Sequence, residues 1–188
     1  NARAISGTVF FCGCNLNCIF CQNYKINHSV MGMEADEETL CRIMLDLQHQ
    51  GAHNINLVTP APHVPLIARA LPLARQAGLT IPIVYNTNAY ETVQTLKMLE
   101  GLIDIYLPDF KYVSAPLAKK YSDAEDYFAI AAQAIAEMYR QVGNIKLDEN
   151  GMATSGVLIR HMVLPGCVDD TRRVLDYQPI TRKMSIYR

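Results

Sequence analysis

The sequence lacks an excess of charge of either sign. Its 17 Lys and Arg residues balance 18 Asp and Glu residues, so the formal net charge is −1 at pH 7. A nucleic-acid-binding domain or a polybasic membrane-binding module usually carries a clear positive excess. We therefore expect neither nucleic acid nor a membrane surface among the partners of this protein.

Long apolar runs are also missing. No uninterrupted apolar segment reaches the ~18 residues of a membrane-spanning helix, and no signal-peptide pattern opens the chain. Hydrophobic residues nevertheless make up 50% of the 188 residues, and charged residues make up 19%. This composition supports one sizeable core and excludes a disordered chain. We expect a single domain over residues 1–188 that is shortened at one or both ends, because the sequence opens at Asn1 without a Met and residues 179–188 stop abruptly.

Strand and helix patterns alternate along the chain, with no internal repeat. Asn150 and Gly151 mark a tight hairpin turn. The alternation predicts right-handed βαβ units around a parallel sheet. At ~30 residues per unit the chain holds about six units, whereas a closed eight-unit barrel needs roughly 250 residues. An open, partial barrel and a doubly wound sheet both fit. The predicted strands are 5–11, 53–59, 81–86, 102–107 and 157–164, and the predicted helices are 36–50, 64–77, 90–100, 123–142 and 170–177.

Four of the six cysteines lie within ten residues, directly after the first predicted strand. Since no export signal is seen, metal binding is favoured over a disulfide framework. Cys14, Cys18 and Cys21 form a C-x3-C-x2-C core, and thiolates select zinc or iron–sulfur clusters. A structural zinc site takes four ligands, so zinc would need Cys12 as well. Three thiolates with one open position suit a [4Fe–4S] cluster.

The stretch GTVFFCGCNLNCIFCQNY, with Phe20 at the aromatic position of the cysteine motif, resembles the radical S-adenosylmethionine (SAM) superfamily. The segments NINLVTP, PIVYNTNAYET, DIYLPDFKY and VLIRHMVLPG resemble its pyruvate formate-lyase-activating-enzyme-like group in particular. The resemblance implies an α/β fold of the open, partial β/α-barrel type with parallel strands. It also implies a [4Fe–4S] cluster held by Cys14, Cys18 and Cys21, with SAM bound to the fourth iron.

The resemblance further implies an activity. An external one-electron donor such as flavodoxin or ferredoxin would reduce the cluster, and SAM would be cleaved to methionine and a 5′-deoxyadenosyl radical. The resemblance thus implies an oxidoreductase in a cytoplasmic and oxygen-poor setting and, more narrowly, an activase that installs a glycyl radical on a partner enzyme. Two alternatives remain open, namely a zinc-stabilised binding module and a single-cluster electron-transfer protein.

Candidate SAM contacts follow the predicted strands. Superfamily members often carry Gly-Gly-Glu after the second strand to hold the SAM amino group, but this sequence has Thr59-Pro60-Ala61-Pro62. The Thr59 hydroxyl or nearby backbone carbonyls would replace the missing acid. By resemblance, Phe20 also belongs to the SAM site, and Asn86 lies in the polar turn that faces the SAM carboxylate.

Three charged residues complete the set of candidates. By resemblance, Lys111 pairs with the SAM carboxylate and Asp109 helps to hold a monovalent cation there, although a plain surface ion pair is the alternative. Arg160 lies in the apolar run VLIRHMVL, where a charge needs a partner. The resemblance assigns Arg160 to the SAM carboxylate or ribose.

Overall fold

The computed structural model describes residues 5–28 and 32–177 and the backbone of residues 185–187. Most of the tail that we expect to be shortened lies outside the described residues. Within them, no helix combines the length and the apolar composition that crossing a membrane requires. The strands are β1 Ser6–Phe10, β2 Asn54–Val58, β3 Ile83–Thr87, β4 Ile105–Pro108, β5 Lys146–Leu147, β6 Ala153–Arg160 and β7 Ser185–Tyr187. The helices are α1 Tyr24–His28, α2 Glu37–His49, α3 Val64–Gln76, α4 Val93–Lys97, α5 Ala115–Ser122, α6 Tyr127–Val142 and α7 Val168–Asp176, with a 3₁₀ turn at Ala61–His63.

The sheet follows the order of the chain. β1, β2, β3, β4 and β6 pair in parallel one after another, and β7 pairs in parallel with β6. A doubly wound sheet would reverse its strand order at a switch point, and no reversal occurs among the described strands. Among these strands β1 pairs with β2 alone, so the sheet stays open. The fold is therefore the predicted open, partial β/α barrel.

The two faces of the sheet differ in what they contact. Because side chains alternate along a strand, one set packs under the helices and the other points into a cavity. The helix-covered set is at most 1% exposed and consists of Ile55, Leu57, Ile83, Tyr85, Tyr106, Val157 and Ile159. The cavity-facing set includes Thr8, Phe10, Asn56, Val58, Asn86 and Arg160. The helix-covered face is thus apolar and builds the core, whereas the cavity-facing set also carries the polar side chains of Thr8, Asn56, Asn86 and Arg160.

Two helices, α1 and α5, are absent from the sequence prediction, and α5 changes where the next predicted helix begins. The predicted helix 123–142 was wrong at its start, because Asp123 has a left-handed φ of 54° and ends α5 rather than beginning a helix. The following helix, α6, begins at Tyr127. The short α5 is capped by the preceding Ser114, whose side chain accepts a hydrogen bond from the backbone N–H of Leu117. The hairpin turn at Asn150 and Gly151 is confirmed by the antiparallel pairing of β5 with β6.

Two further boundaries differ from the sequence prediction. The predicted helix 90–100 shrinks to α4 because Thr92 caps its start and its last turn tightens into i→i+3 hydrogen bonds, such as Leu99 N–H to the Leu96 carbonyl at 3.0 Å. The last predicted strand, 157–164, is shifted by four residues to β6. As a result, Arg160 ends its strand instead of lying within it.

Candidate functional site

A cavity of about 550 Å³ lies at the carboxyl ends of the parallel strands. All nine site residues predicted from the sequence line it, although they come from five separate parts of the chain. They are Cys14, Cys18, Phe20, Cys21, Thr59, Asn86, Asp109, Lys111 and Arg160. The structure thus brings these residues together, while their individual ligand roles stay predictions.

The loop that carries the cysteines is held in place by neighbouring segments. Backbone N–H groups of Asn17 and Ile19 donate to the carbonyls of Ser122 and Tyr121 at 3.2 and 3.0 Å. On the other side, the His63 ring contacts the Cys12 carbonyl at 2.7 Å. The loop is therefore anchored both to the end of α5 and to the turn after β2, which positions the thiols at the mouth of the barrel.

Each cysteine sulfur that lines the cavity has a polar side-chain partner. Asn27 Nδ2 lies 3.3 Å from Cys21 Sγ. Asn88 Nδ2 lies 3.4 Å from Cys14 Sγ. Ser122 Oγ lies 2.9 Å from Cys18 Sγ. Sequence reasoning missed these partners in this role. Asn88 stands two residues after Asn86 in the same polar turn, but Ser122 is 104 residues from Cys18 and carries no motif that would reveal it.

The spacing of the thiols bears on the zinc alternative. Within the described residues, no three Cys, His, Asp or Glu side chains are close enough to hold a single metal ion. A tetrahedral zinc site with Zn–S bonds of about 2.3 Å would place its sulfurs roughly 4 Å apart. A [4Fe–4S] cluster binds each thiolate to a different iron, so its ligands lie farther apart. The described residues thus show no preformed mononuclear site, and a cluster held by Cys14, Cys18 and Cys21 stays a prediction.

Burial raises the pKa of the Cys18 thiol above its ordinary value, against the opposing effect of the nearby Lys111 ammonium group. Since metal binding requires the thiolate, loading this site releases a proton. The positive charge of Lys111 favours the thiolate form, so Lys111 acts electrostatically on the cysteine side of the cavity as well as on its own partners.

An ionic network lines the cavity at the ends of β4 and β6. The Asp109 carboxylate accepts from Arg160 Nε at 2.6 Å and from Lys111 Nζ at 2.5 Å. Arg160 Nη2 also donates to Asn86 Oδ1 at 3.1 Å. Burial alone would raise the pKa of the Asp109 carboxyl, but the two cations outweigh it and hold this pKa below its ordinary value. Asp109 is thus ionised and keeps two positive groups at the cavity wall.

The same network bears on the predicted monovalent cation. Asp109 is the sole carboxylate among the described lining residues, and each of its oxygens already faces a positive side chain. A cation at this carboxylate would have to share it with Lys111 and Arg160. The cation therefore stays a prediction.

The turn after β2 has a strained backbone. Thr59 has a φ of 59°, in the left-handed region that β-branched residues rarely adopt. Strain of this kind costs of order 1–3 kcal/mol and concentrates at functional sites. Ala89, after β3, has a similar φ of 63°. Both residues lie at strand ends beside the cavity, where the backbone turns sharply.

Two buried oxygen atoms test whether the cavity suits a ligand. Asn27 Oδ1 and Asn56 Oδ1 are buried and have no hydrogen-bond partner among the described residues. Both side chains belong to residues that line the cavity. Buried polar atoms are nearly always paired, and SAM offers an ammonium group, ribose hydroxyls and an adenine amine as donors. With three soft thiols and two cations beside them, the lining fits a [4Fe–4S] cluster together with SAM.

The family profile of the Radical SAM superfamily matches residues 8–176. The chain belongs to the radical SAM superfamily. Members of this superfamily typically use a [4Fe–4S] cluster and SAM. The match covers every residue of the cavity lining, from Thr8 to Met162.

The chain is also similar to individual proteins. An uncharacterised protein of Methanocaldococcus jannaschii is 30% identical over 185 residues, which cover 92% of this chain and 48% of that protein. The crystal structure of HydG, a maturase of the [FeFe]-hydrogenase, matches with a TM-score of 0.54 at 16% identity and covers 85% of this chain and 36% of that chain. The likeness to HydG concerns the fold alone. The chain spans less than half the length of both proteins.

Proposed function

We propose that this protein binds a [4Fe–4S] cluster through Cys14, Cys18 and Cys21 and cleaves SAM reductively. The observation that carries the proposal is the convergence of three thiols and a cationic pair on one cavity of about 550 Å³. When bound and reduced, the cluster supplies the electron that splits SAM into methionine and a 5′-deoxyadenosyl radical. The electron comes from an external one-electron donor of the flavodoxin or ferredoxin type.

The cationic side of the cavity binds the SAM carboxylate in this proposal. Lys111 and Asp109 are each 16% exposed in their side chains, and Arg160 is 42% exposed. Charge–charge attraction is stronger in such a partly buried place than in bulk water. Asp109 orients both cations, and Asn86 accepts from Arg160. A monovalent cation near Asp109 would add to this charge, as the superfamily resemblance implies.

The SAM amino group needs acceptors elsewhere, because the sequence has no acid after β2. The proposal assigns this role to Thr59, whose left-handed φ turns the chain beside the cavity. Phe20 supplies an apolar wall on the cysteine side. Its ring centroid lies 5.8 Å from Lys111 Nζ, so an aromatic face and a cation border the same space.

We infer a finer role from the sequence segments that resemble the pyruvate formate-lyase-activating-enzyme-like group. In this role the hydrogen atom is taken from a glycine residue of a partner protein. The test is deuterium transfer. Cell protein labelled with α-deuterated glycine is mixed with the reduced enzyme and SAM, and deuterium in 5′-deoxyadenosine is measured by mass spectrometry. Deuterium from the protein fraction supports the role, together with a glycine-centred EPR doublet in a parallel unlabelled sample that collapses when the glycine is α-deuterated. Transfer from the small-molecule fraction alone contradicts it.

The central proposal is tested by anaerobic reconstitution, followed by an assay of 5′-deoxyadenosine from SAM and dithionite. Single Cys→Ala variants at positions 14, 18 and 21 should lose iron and product. The controls are Cys41→Ala and Cys167→Ala, since neither of these cysteines lines the cavity. Absence of product from a protein with a full cluster contradicts the proposal. One equivalent of zinc, without iron or sulfide, would support the zinc-stabilised module instead.

A further inference from the structure

The three thiols of the cavity share one feature that the proposed reaction does not explain. Each is met by one polar group from a different part of the fold: Asn27 from α1, Asn88 from the turn after β3, and Ser122 from the end of α5. The contacts measure 3.3, 3.4 and 2.9 Å. No two sulfurs share a partner in this set, so each of the three thiols has a polar partner of its own.

The direction of these hydrogen bonds follows from the chemistry of an iron-bound thiolate. A cysteine that ligates iron has lost its proton, so its partner must donate. The amide nitrogens of Asn27 and Asn88 are donors already. Ser122 must then give its hydroxyl hydrogen to Cys18, which leaves the Ser122 oxygen to accept from Tyr112, whose hydroxyl lies 2.9 Å away. The result is a directed chain from Tyr112 through Ser122 to Cys18.

Burial strengthens the hydrogen bond from Ser122 to Cys18. Ser122 and Tyr112 are each 1% exposed, so water does not compete for their hydroxyl groups. In such surroundings a hydrogen bond is electrostatically stronger, and successive hydrogen bonds polarise one another. Tyr112 therefore strengthens the donation from Ser122 without touching the sulfur.

We propose that Asn27, Asn88 and Ser122, the last supported by Tyr112, raise the reduction potential of the cluster through their hydrogen bonds to the three thiolates. One-electron reduction adds negative charge to the cluster and its sulfur ligands, and donors to sulfur stabilise that charge. The electron comes from the external donor already named. These residues are positioning residues that act through the ligands. The inference rests on the proposed function, because it requires the cluster to be present.

Asn27 and Ser122 are the informative positions for a test. Asn88 makes further hydrogen bonds, because its Oδ1 accepts from the backbone N–H of Tyr90 at 2.8 Å and its Nδ2 also donates to Asn15 at 2.8 Å. Asn27 Oδ1, by contrast, has no partner among the described residues. Asn27→Leu is nearly isosteric and removes the donor. Ser122→Ala removes the hydroxyl, and Ser122→Thr retains it.

The experiment is an EPR-monitored redox titration of the anaerobically reconstituted protein, with iron and sulfide analysed in every sample. Asn27→Leu and Ser122→Ala should shift the midpoint potential to more negative values, so that at a fixed potential a several-fold smaller ratio of reduced to oxidised cluster is found. Tyr112→Phe should shift it in the same direction by less. Ser122→Thr should restore the wild-type value. The matched control is Asn17→Ala, an exposed asparagine beside Cys18 whose side chain is not among the sulfur partners.

Two results would overturn the inference while leaving the proposed function intact. One is a wild-type potential in both Asn27→Leu and Ser122→Ala when each carries a full cluster. The other is an equal shift in Asn17→Ala. If Ser122→Ala does not retain its cluster, Tyr112→Phe tests the role of Ser122 instead. An unchanged midpoint potential in Tyr112→Phe would then overturn that role. A wild-type protein that holds no iron would instead refute the proposed function, and the iron analysis separates the two failures.

Discussion

Arg160 Nε lies 2.6 Å from the Asp109 carboxylate, and this contact joins the ends of β4 and β6 across 51 residues of sequence. The same carboxylate accepts from Lys111. A single acidic side chain thus holds both cations of the cavity wall. Its removal should affect ligand binding more than the removal of an ion pair elsewhere in the barrel.

Asp109→Asn should weaken SAM binding strongly, because it leaves Lys111 and Arg160 without the charge that positions them. It should also lower the free energy of unfolding by about 1–3 kcal/mol. The control is Asp104→Asn at the other end of β4, where the carboxylate accepts from Arg75 at 2.7 Å. That variant should lose stability and keep its SAM affinity. Calorimetric titration with SAM measures the difference, and equal losses of affinity in the two variants would contradict the account.

Tyr127 ties the ends of two strands together. Its hydroxyl lies 2.9 Å from the Asn88 carbonyl and 2.8 Å from the Asp109 carbonyl, and it accepts from the Lys111 N–H. Tyr127→Phe would leave these partly buried backbone groups without that partner, at a cost of about 1–3 kcal/mol. Urea unfolding measures this loss. Tyr24→Phe, at an exposed tyrosine, should be neutral, and a neutral Tyr127→Phe would refute the role.

Two glutamates of equal exposure should respond to pH in opposite ways. Glu91 and Glu137 are each 7% exposed. Burial raises the pKa of Glu91, whose partners are the hydroxyls of Tyr85 and Thr87. Hydrogen bonds from Arg140 lower the pKa of Glu137 to about 2. Desolvation is the largest effect at Glu91, whereas the hydrogen bond from the Arg140 guanidinium is the largest effect at Glu137.

The sign of each effect follows from linkage. The stability that protonated Glu91 contributes is complete below the ordinary pKa of 4.5 and is lost as the pH rises through its raised pKa. Unfolding of the metal-free protein between pH 5 and 8 should therefore show a stability that falls with pH more steeply in wild type than in Glu91→Gln. Glu137 contributes above pH 4.5 and loses its contribution only as the pH falls towards about 2. Glu137→Gln should leave the slope between pH 5 and 8 unchanged, and equal slopes in wild type and Glu91→Gln would refute the assignment.

Relief of the backbone strain in the turn after β2 should raise the stability of the protein and weaken SAM binding. Thr59→Gly should relieve about 1–2 kcal/mol of left-handed strain, partly offset by about 0.5–1 kcal/mol from the freer unfolded chain. The net effect should be a small gain in stability together with weaker SAM binding. Thr80→Gly, at a position without positive φ, should lose stability and retain SAM binding. A loss of stability in Thr59→Gly would show that the turn is not strained.

Much of the fold could be predicted from local patterns. The alternation of strands and helices, the hairpin at Asn150 and the parallel sheet all follow from short-range periodicity. The strand order decided between the two architectures that the sequence left open. The helix α5 escaped prediction because eight residues with Pro116 and two lysines give little apolar periodicity, and its end depends on the left-handed Asp123.

The candidate site, too, could be predicted only in part from the sequence. Cys14, Cys18 and Cys21 carry a dense local motif, so they could be found in the sequence alone. Ser122 and Tyr127 act through contacts that the fold creates, at sequence separations of 104 and 18 residues from their partners Cys18 and Asp109. Their residue types are ordinary in a helix. Only the three-dimensional arrangement places them against residues that line the cavity.

The most direct test of the account is the EPR spectrum of the anaerobically reconstituted and dithionite-reduced protein, recorded with and without SAM. The account predicts the signal of one reduced [4Fe–4S] cluster, a change of that signal when SAM is added, and loss of the signal in Cys14→Ala, Cys18→Ala and Cys21→Ala. A protein without iron, or a cluster whose spectrum does not respond to SAM, would contradict it.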